Sequence, residues 1–107
     1  MKELETETEL EEILKQDAVI LQFGSASCAP CIAIKQRIDA WTAEHSQVIS
    51  CYIPVEKWLS LSAKMNVFSA PTVIALIQGK VVEQQSGYFS LDRILDRMER
   101  ILSLMEE

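Results

Sequence analysis

With 107 residues, 49% of them hydrophobic, the chain has the length of one domain, residues 1–107, and can bury a core without crosslinks. A net charge of −6 with no basic stripe argues against nucleic-acid binding, and no apolar run reaches the roughly 18 residues of a membrane span. Three cysteines are too few for a disulfide scaffold; an odd number with two close together points to redox or metal chemistry.

Met1-Lys2-Glu3-Leu4-Glu5 lacks the basic start and apolar stretch of a signal peptide, so a reducing, cytoplasmic setting is expected. Six acids against Lys2 crowd the first twelve residues, whereas the remainder holds ten acids against nine bases. The acidic start reads as a solvated helix face. Leu10, Ile13 and Leu14 predict a helix over Thr8 to Gln16, and Lys2-Glu3-Leu4 before it is too brief to decide as a strand. Ala18 to Phe23 is a near-continuous apolar run, as expected of a central strand covered on both faces, with Gln22 its one polar member.

A second helix is expected from Ala29 or Pro30 to about Glu44, with Ile34, Ile38 and Trp41 as its core stripe. Val48 to Ile53 reads as a strand with Ile49, Cys51 and Ile53 on one face, ended by Pro54. Trp58 to Met65 is a short helix. Thr72 to Ile77, Gln78-Gly79 and Lys80 to Gln85 form a hairpin whose turn glycine admits positive φ, and Ser86-Gly87 breaks the second strand. From Leu91 to the end, Ile94, Leu95, Met98, Ile101, Leu102 and Met105 keep helical spacing behind Ser90 as N-cap. The element order predicts an α/β fold with a four- or five-stranded mixed sheet and helices on both faces.

The chemistry concentrates in Cys28-Ala29-Pro30-Cys31, where a strand hands over to a helix. The first turn of a helix offers unpaired N–H groups and the positive end of the dipole, both favouring a thiolate, so Cys28 is the expected nucleophile. Pro30 needs no N–H partner there and stiffens the spacer, leaving Cys31 in reach of a mixed disulfide on Cys28. The bland alternative is a pair of buried free cysteines acting as small hydrophobes. A zinc site is the competitor, because Cys28, Cys31, His45 and Cys51 fit C-x2-C-x13-H-x5-C. One continuous helix would put His45 roughly 21 Å beyond Cys31, too far to share an ion, and Cys51 reads as a core residue.

Cys-x-x-Cys after a strand and opening a helix, followed by Ser69-Ala70-Pro71-Thr72-Val73 and then Gly87, resembles the thioredoxin family over nearly the whole chain. The resemblance implies a thioredoxin-like fold and a cis proline at Pro71 against the cysteine pair. It also implies a substrate groove bordered by Ala29, Pro30, Ala70, Pro71 and Gly87, with the backbone of Ala70 facing an extended client. The implied activity is thiol-disulfide exchange in electron transport and cell redox homeostasis. Its partners are protein disulfides and a recharging reductase, and a monomer with no bound cofactor and no metal is expected. The alternative is a non-catalytic module that binds a partner through the same groove.

The chain departs from the family pattern. Ser27 stands where Trp is usual, Ala29 where Gly is usual, Gln22 in place of a buried aspartate, Tyr52 at about the place of a lysine, and Gly24 where an aromatic is common. Glutamine cannot take a proton from Cys31, and a restricted clientele fits better than a general one.

Overall fold

A computed structural model describes residues 1–106, so Glu107, the last residue of the expected 1–107 domain, lies outside it. The sheet is built around β2 (Ala18–Gly24), all seven of whose residues are buried. It pairs in parallel with β3 (Ile49–Pro54) on one side and antiparallel with β4 (Thr72–Ile77) on the other. The hairpin partner β5 (Lys80–Ser86) follows β4, and β1 (Lys2–Glu3) adds to β3, giving the order β1-β3-β2-β4-β5. The sheet therefore has five strands. The undecided Lys2-Glu3-Leu4 stretch is an edge strand, which Leu4 extends by donating its N–H to the Tyr52 carbonyl at 2.8 Å.

Alternation along β2 divides the core in two. Ala18 and Ile20 meet Val73 and Ala75 of β4, Ile38 of α2 (Ala29–Ala43) and the buried stripe of α4 (Leu91–Met105). On the opposite face Val19, Leu21 and Phe23 pack with Cys51 and Ile53 of β3 and Leu10 of α1 (Glu7–Leu14). The short α3 (Leu59–Lys64), entered through a 3-10 turn at Val55–Lys57, adds Leu61 to that side.

The helix boundaries follow their caps. Thr6 Oγ1 accepts from the Glu9 N–H at 3.1 Å, so α1 starts one residue before the expected Thr8 and ends before the expected Gln16. Ser90 caps α4 by accepting from the Arg93 N–H at 3.3 Å. In the β4–β5 turn both Gln78 (φ 51°) and Gly79 (φ 80°) are left-handed. β5 reaches one residue past the expected Gln85 because Ser86 pairs with Thr72, their hydroxyls 2.7 Å apart.

Gly24 closes β2 beside the Tyr52 ring. A Cβ on Gly24 would lie 2.6 Å from Tyr52 Cε2 and 2.7 Å from Cζ, with the phenol oxygen closer still. The ring fills the space that a side chain at position 24 would take. Gly24→Ala is expected to cost about 1–3 kcal/mol through this overlap. In a Tyr52→Ala background the same change should cost close to nothing, because the overlap is gone. Urea unfolding of the two single variants and the double variant checks this: additive costs would rule out the ring as the cause.

Candidate active site

The end of β2 and the start of α2 bring the two sulfurs together. Cys28 is the N-cap residue of α2, in extended conformation (φ −96°, ψ 97°), and Ala29 and Pro30 open the helix. The Cys28 N–H donates to the Ser25 carbonyl at 3.2 Å, and the Cys31 N–H donates to the Cys28 carbonyl at 3.2 Å, so one turn carries both residues on the same side. Their Cα atoms are 5.4 Å apart and the sulfurs are joined as a disulfide. The two are not equivalent. Cys31 is 2% exposed, sealed beneath the first turn, whereas Cys28 is half-buried and opens on a groove.

That groove, about 740 Å³, is lined by Cys28, Ala29, Pro30, Ala70, Pro71 and Gly87 among others. The Ala70–Pro71 bond is cis. Its surroundings are pinned from two sides. The Gly87 N–H donates to the Pro71 carbonyl at 3.0 Å, and the Thr72 hydroxyl donates to the Ser69 carbonyl at 2.8 Å. Gly87 takes φ 75°, a left-handed conformation that a side chain would strain.

Tyr88 and Arg37 are among the groove residues that the sequence does not single out. Tyr88, next to Gly87, is fully exposed over the groove, and Arg37, from the third turn of α2, is its one charged lining residue. Arg37 is paired with Asp92 of α4, which ties the two helices together at the groove wall. The adjacent aromatics Tyr88-Phe89 behind a glycine break were the available signal for the first. Nothing in the periodicity of α2 marks Arg37, because it lies among the solvent-facing charges.

Gln22, also buried, donates its Nε2–H to the Cys31 carbonyl at 2.8 Å. The residues of the C-x2-C-x13-H-x5-C spacing are not gathered. His45, just past the end of α2, has its Nδ1 at 2.8 Å from the Trp41 carbonyl and its ring stacked on Trp41, with Nε2 4.0 Å from Glu99. Cys51 lies in the core on the far face of the sheet. Burial pushes the Cys51 thiol up to about 11, with the Glu9 carboxylate adding to the rise.

The chain matches the thioredoxin family model over residues 1–100. It is 26% identical over 94 residues to putative thioredoxin-4 of Dictyostelium discoideum, covering 86% of this chain and 90% of that one. To the mitochondrial thioredoxin of Mus musculus it is 24% identical over 85 residues, covering 78% of this chain and 51% of the relative, so the chain spans about half the length of that protein. The X-ray structure of Fasciola hepatica thioredoxin superposes with a TM-score of 0.80 at 25% identity, covering 94% of this chain and 98% of that one.

The raised Cys51 thiol makes two expectations. In the folded, reduced protein near neutral pH, iodoacetamide should label Cys28 and spare Cys51, which becomes reactive on unfolding. Stability should also fall with rising pH. The unfolded thiol ionises near its ordinary value of 9.0 while the folded one holds its proton to about 11, so the unfolded state binds fewer protons between the two. Comparing the oxidised protein with Cys51→Ala by urea unfolding should show wild type losing about 1–2 kcal/mol more between about pH 8 and about pH 10.5. Parallel pH profiles would show that Cys51 ionises as freely in the folded chain as in the unfolded one.

Proposed function

Because the chain belongs to the thioredoxin family, we propose that its Cys28–Cys31 pair exchanges with protein disulfides and that the protein is a thiol-disulfide oxidoreductase acting as a reductant. The observation that carries this reading is the difference between the sulfurs: one faces an open groove at a helix start, and the other is buried directly behind it. A nucleophile must be reachable by its client. A resolving thiol must be reachable only by the intermediate.

The chemistry follows from that arrangement. The Cys28 thiolate, favoured by the N–H groups and dipole of the first turn of α2, attacks one sulfur of a client disulfide. A Cys28–client bond forms and the client's other sulfur leaves as a thiolate. Cys31, losing its proton, then attacks the Cys28 sulfur; the Cys28–Cys31 bond forms and the second client thiolate leaves. The client is reduced by two electrons and the pair is oxidised by two. An extended client segment rests against the Ala70 backbone, with Pro71 and Gly87 on one side and Ala29 and Pro30 on the other. A reductase in a reducing, cytoplasmic setting restores the dithiol. Both sulfurs and the groove come from one chain, so a monomer suffices, and the redox chemistry lies in the side chains themselves, so the mechanism requires no cofactor.

Two features narrow the clientele, the Tyr88 ring and the Arg37 charge at the groove wall.

Equilibration in graded glutathione buffers, followed by acid quench, alkylation and mass analysis, should show one two-thiol transition confined to Cys28 and Cys31. Cys28→Ser should lower the rate of client disulfide reduction to that of buffer alone, with the fold retained. A pair that stays in one state across the biological range of glutathione ratios would instead assign the groove to a non-catalytic binding module.

A further inference from the structure

Gln22 is fully buried in β2, and its amide is only half used. A backbone carbonyl can only accept, so the 2.8 Å contact with the Cys31 carbonyl requires the amide nitrogen to face it. That fixes Oε1 on the other branch of the amide, where it has no hydrogen-bond partner in the oxidised protein. An unpaired buried acceptor carries the desolvation cost of its missing bond. The other unpaired buried side-chain atom among the described residues, Ser62 Oγ, belongs to α3.

Reduction changes what Cys31 requires of its surroundings. In exchange with glutathione the Cys28–Cys31 bond breaks and one S–S bond forms between two glutathiones. Their two protons pass to the Cys28 and Cys31 sulfurs, with Cys28 free to release its own to solvent. Cys31 is 2% exposed, so its new S–H has little access to water and needs an acceptor from the protein. We infer that Gln22 is a redox-coupled positioning residue whose Oε1, unpaired in the oxidised protein on the side chain that holds the Cys31 carbonyl, accepts the S–H of Cys31 once the pair is reduced. The inference rests on the reading of Cys28 and Cys31 as an exchange pair.

The contact acts on the equilibrium rather than on the fold alone. The Nε2–H to Cys31 carbonyl bond holds the turn that carries the sulfur. The Oε1 bond exists only in the dithiol, and its absence penalises only the disulfide. That difference favours reduction of this protein. An amide does not ionise near neutral pH, so it supplies no proton acceptor, and the bias holds for as long as Cys31 keeps its proton.

The test is the glutathione equilibrium of wild type, Gln22→Met and Gln22→Glu, with circular dichroism confirming the fold in both redox states. Gln22→Met keeps similar bulk without an oxygen; it should lower the equilibrium constant for reduction about two- to tenfold, tenfold being about 30 mV for a two-electron couple. In Gln22→Glu at about pH 6, burial keeps the carboxylic acid protonated, one donor and one acceptor in the same volume, and the wild-type constant should return. A measurement without variants stands beside these. On reduction of isotopically labelled wild type, the NMR signal of the Gln22 side-chain carbonyl carbon should move downfield, as for a carbonyl that gains a donor. A wild-type transition with no shift in Gln22→Met, or a carbonyl signal that stays in place on reduction, would overturn this role alone. A wild-type pair that never exchanges with glutathione would remove the exchange reading and this role with it.

Discussion

Burial of β2 on both faces is the constraint from which the site follows. A strand covered along its whole length can give its chain a reactive end only where it leaves the sheet, and β2 leaves between a parallel and an antiparallel neighbour. The start of α2 sits at that exit, and the β4 approach, with Ala70 and Pro71, reaches the same edge from the antiparallel side. Neither cysteine could stay in place if β2 shifted its register by one residue, because Phe23 and Gln22 would exchange faces and the core on both sides would lose its packing.

The same burial makes the two sulfurs unequal. Cys28 is the last residue before helical geometry begins, so it inherits the free N–H groups of the turn and stands at the surface. Cys31 is one turn further in and meets the sheet, where Gln22 holds its carbonyl. The third cysteine shows what burial does without such a position. Cys51 lies within a strand and not at a helix N-cap, its S–H faces the Tyr52 carbonyl at 3.9 Å, and burial pushes its thiol up to about 11.

Much of this was legible in the chain. The apolar run of Ala18 to Phe23 announced a central strand, and the spacing of Ile94, Leu95, Met98 and Leu102 announced α4, because both signals come from side chains that meet one continuous core. Lys2-Glu3 could not be read, since a two-residue edge strand has no periodicity and exists only because β3 offers it carbonyls and N–H groups. The cap at Thr6 was within reach of the sequence, in its spacing to Glu9, but the Glu run around it obscured where the helix turns begin. At the site, Cys28 and Cys31 were legible from spacing and residue type, and the proline at position 71 from the family resemblance. Arg37 and Tyr88 were not, because a groove formed by α2, the turn before β4 and the loop after β5 is a product of packing between segments distant in the chain.

Three departures from the family pattern that look separate in the sequence form one unit in the fold. Gln22 pairs with Tyr52 across the parallel β2–β3 ladder, and Gly24 lies two residues along the same face of β2. With no side chain at 24, the Tyr52 ring can lie over the strand end, and it takes the volume an aromatic at 24 would have used. Lys35 of α2 sits 5.2 Å from the centre of that ring, so its charge stands above an aromatic face. A neutral amide at 22 is the consistent partner for such a setting. A carboxylate buried there would be desolvated and would hold its proton, whereas glutamine supplies both a donor and an acceptor without a charge. The buried polar group that holds the Cys31 carbonyl is thus an uncharged one.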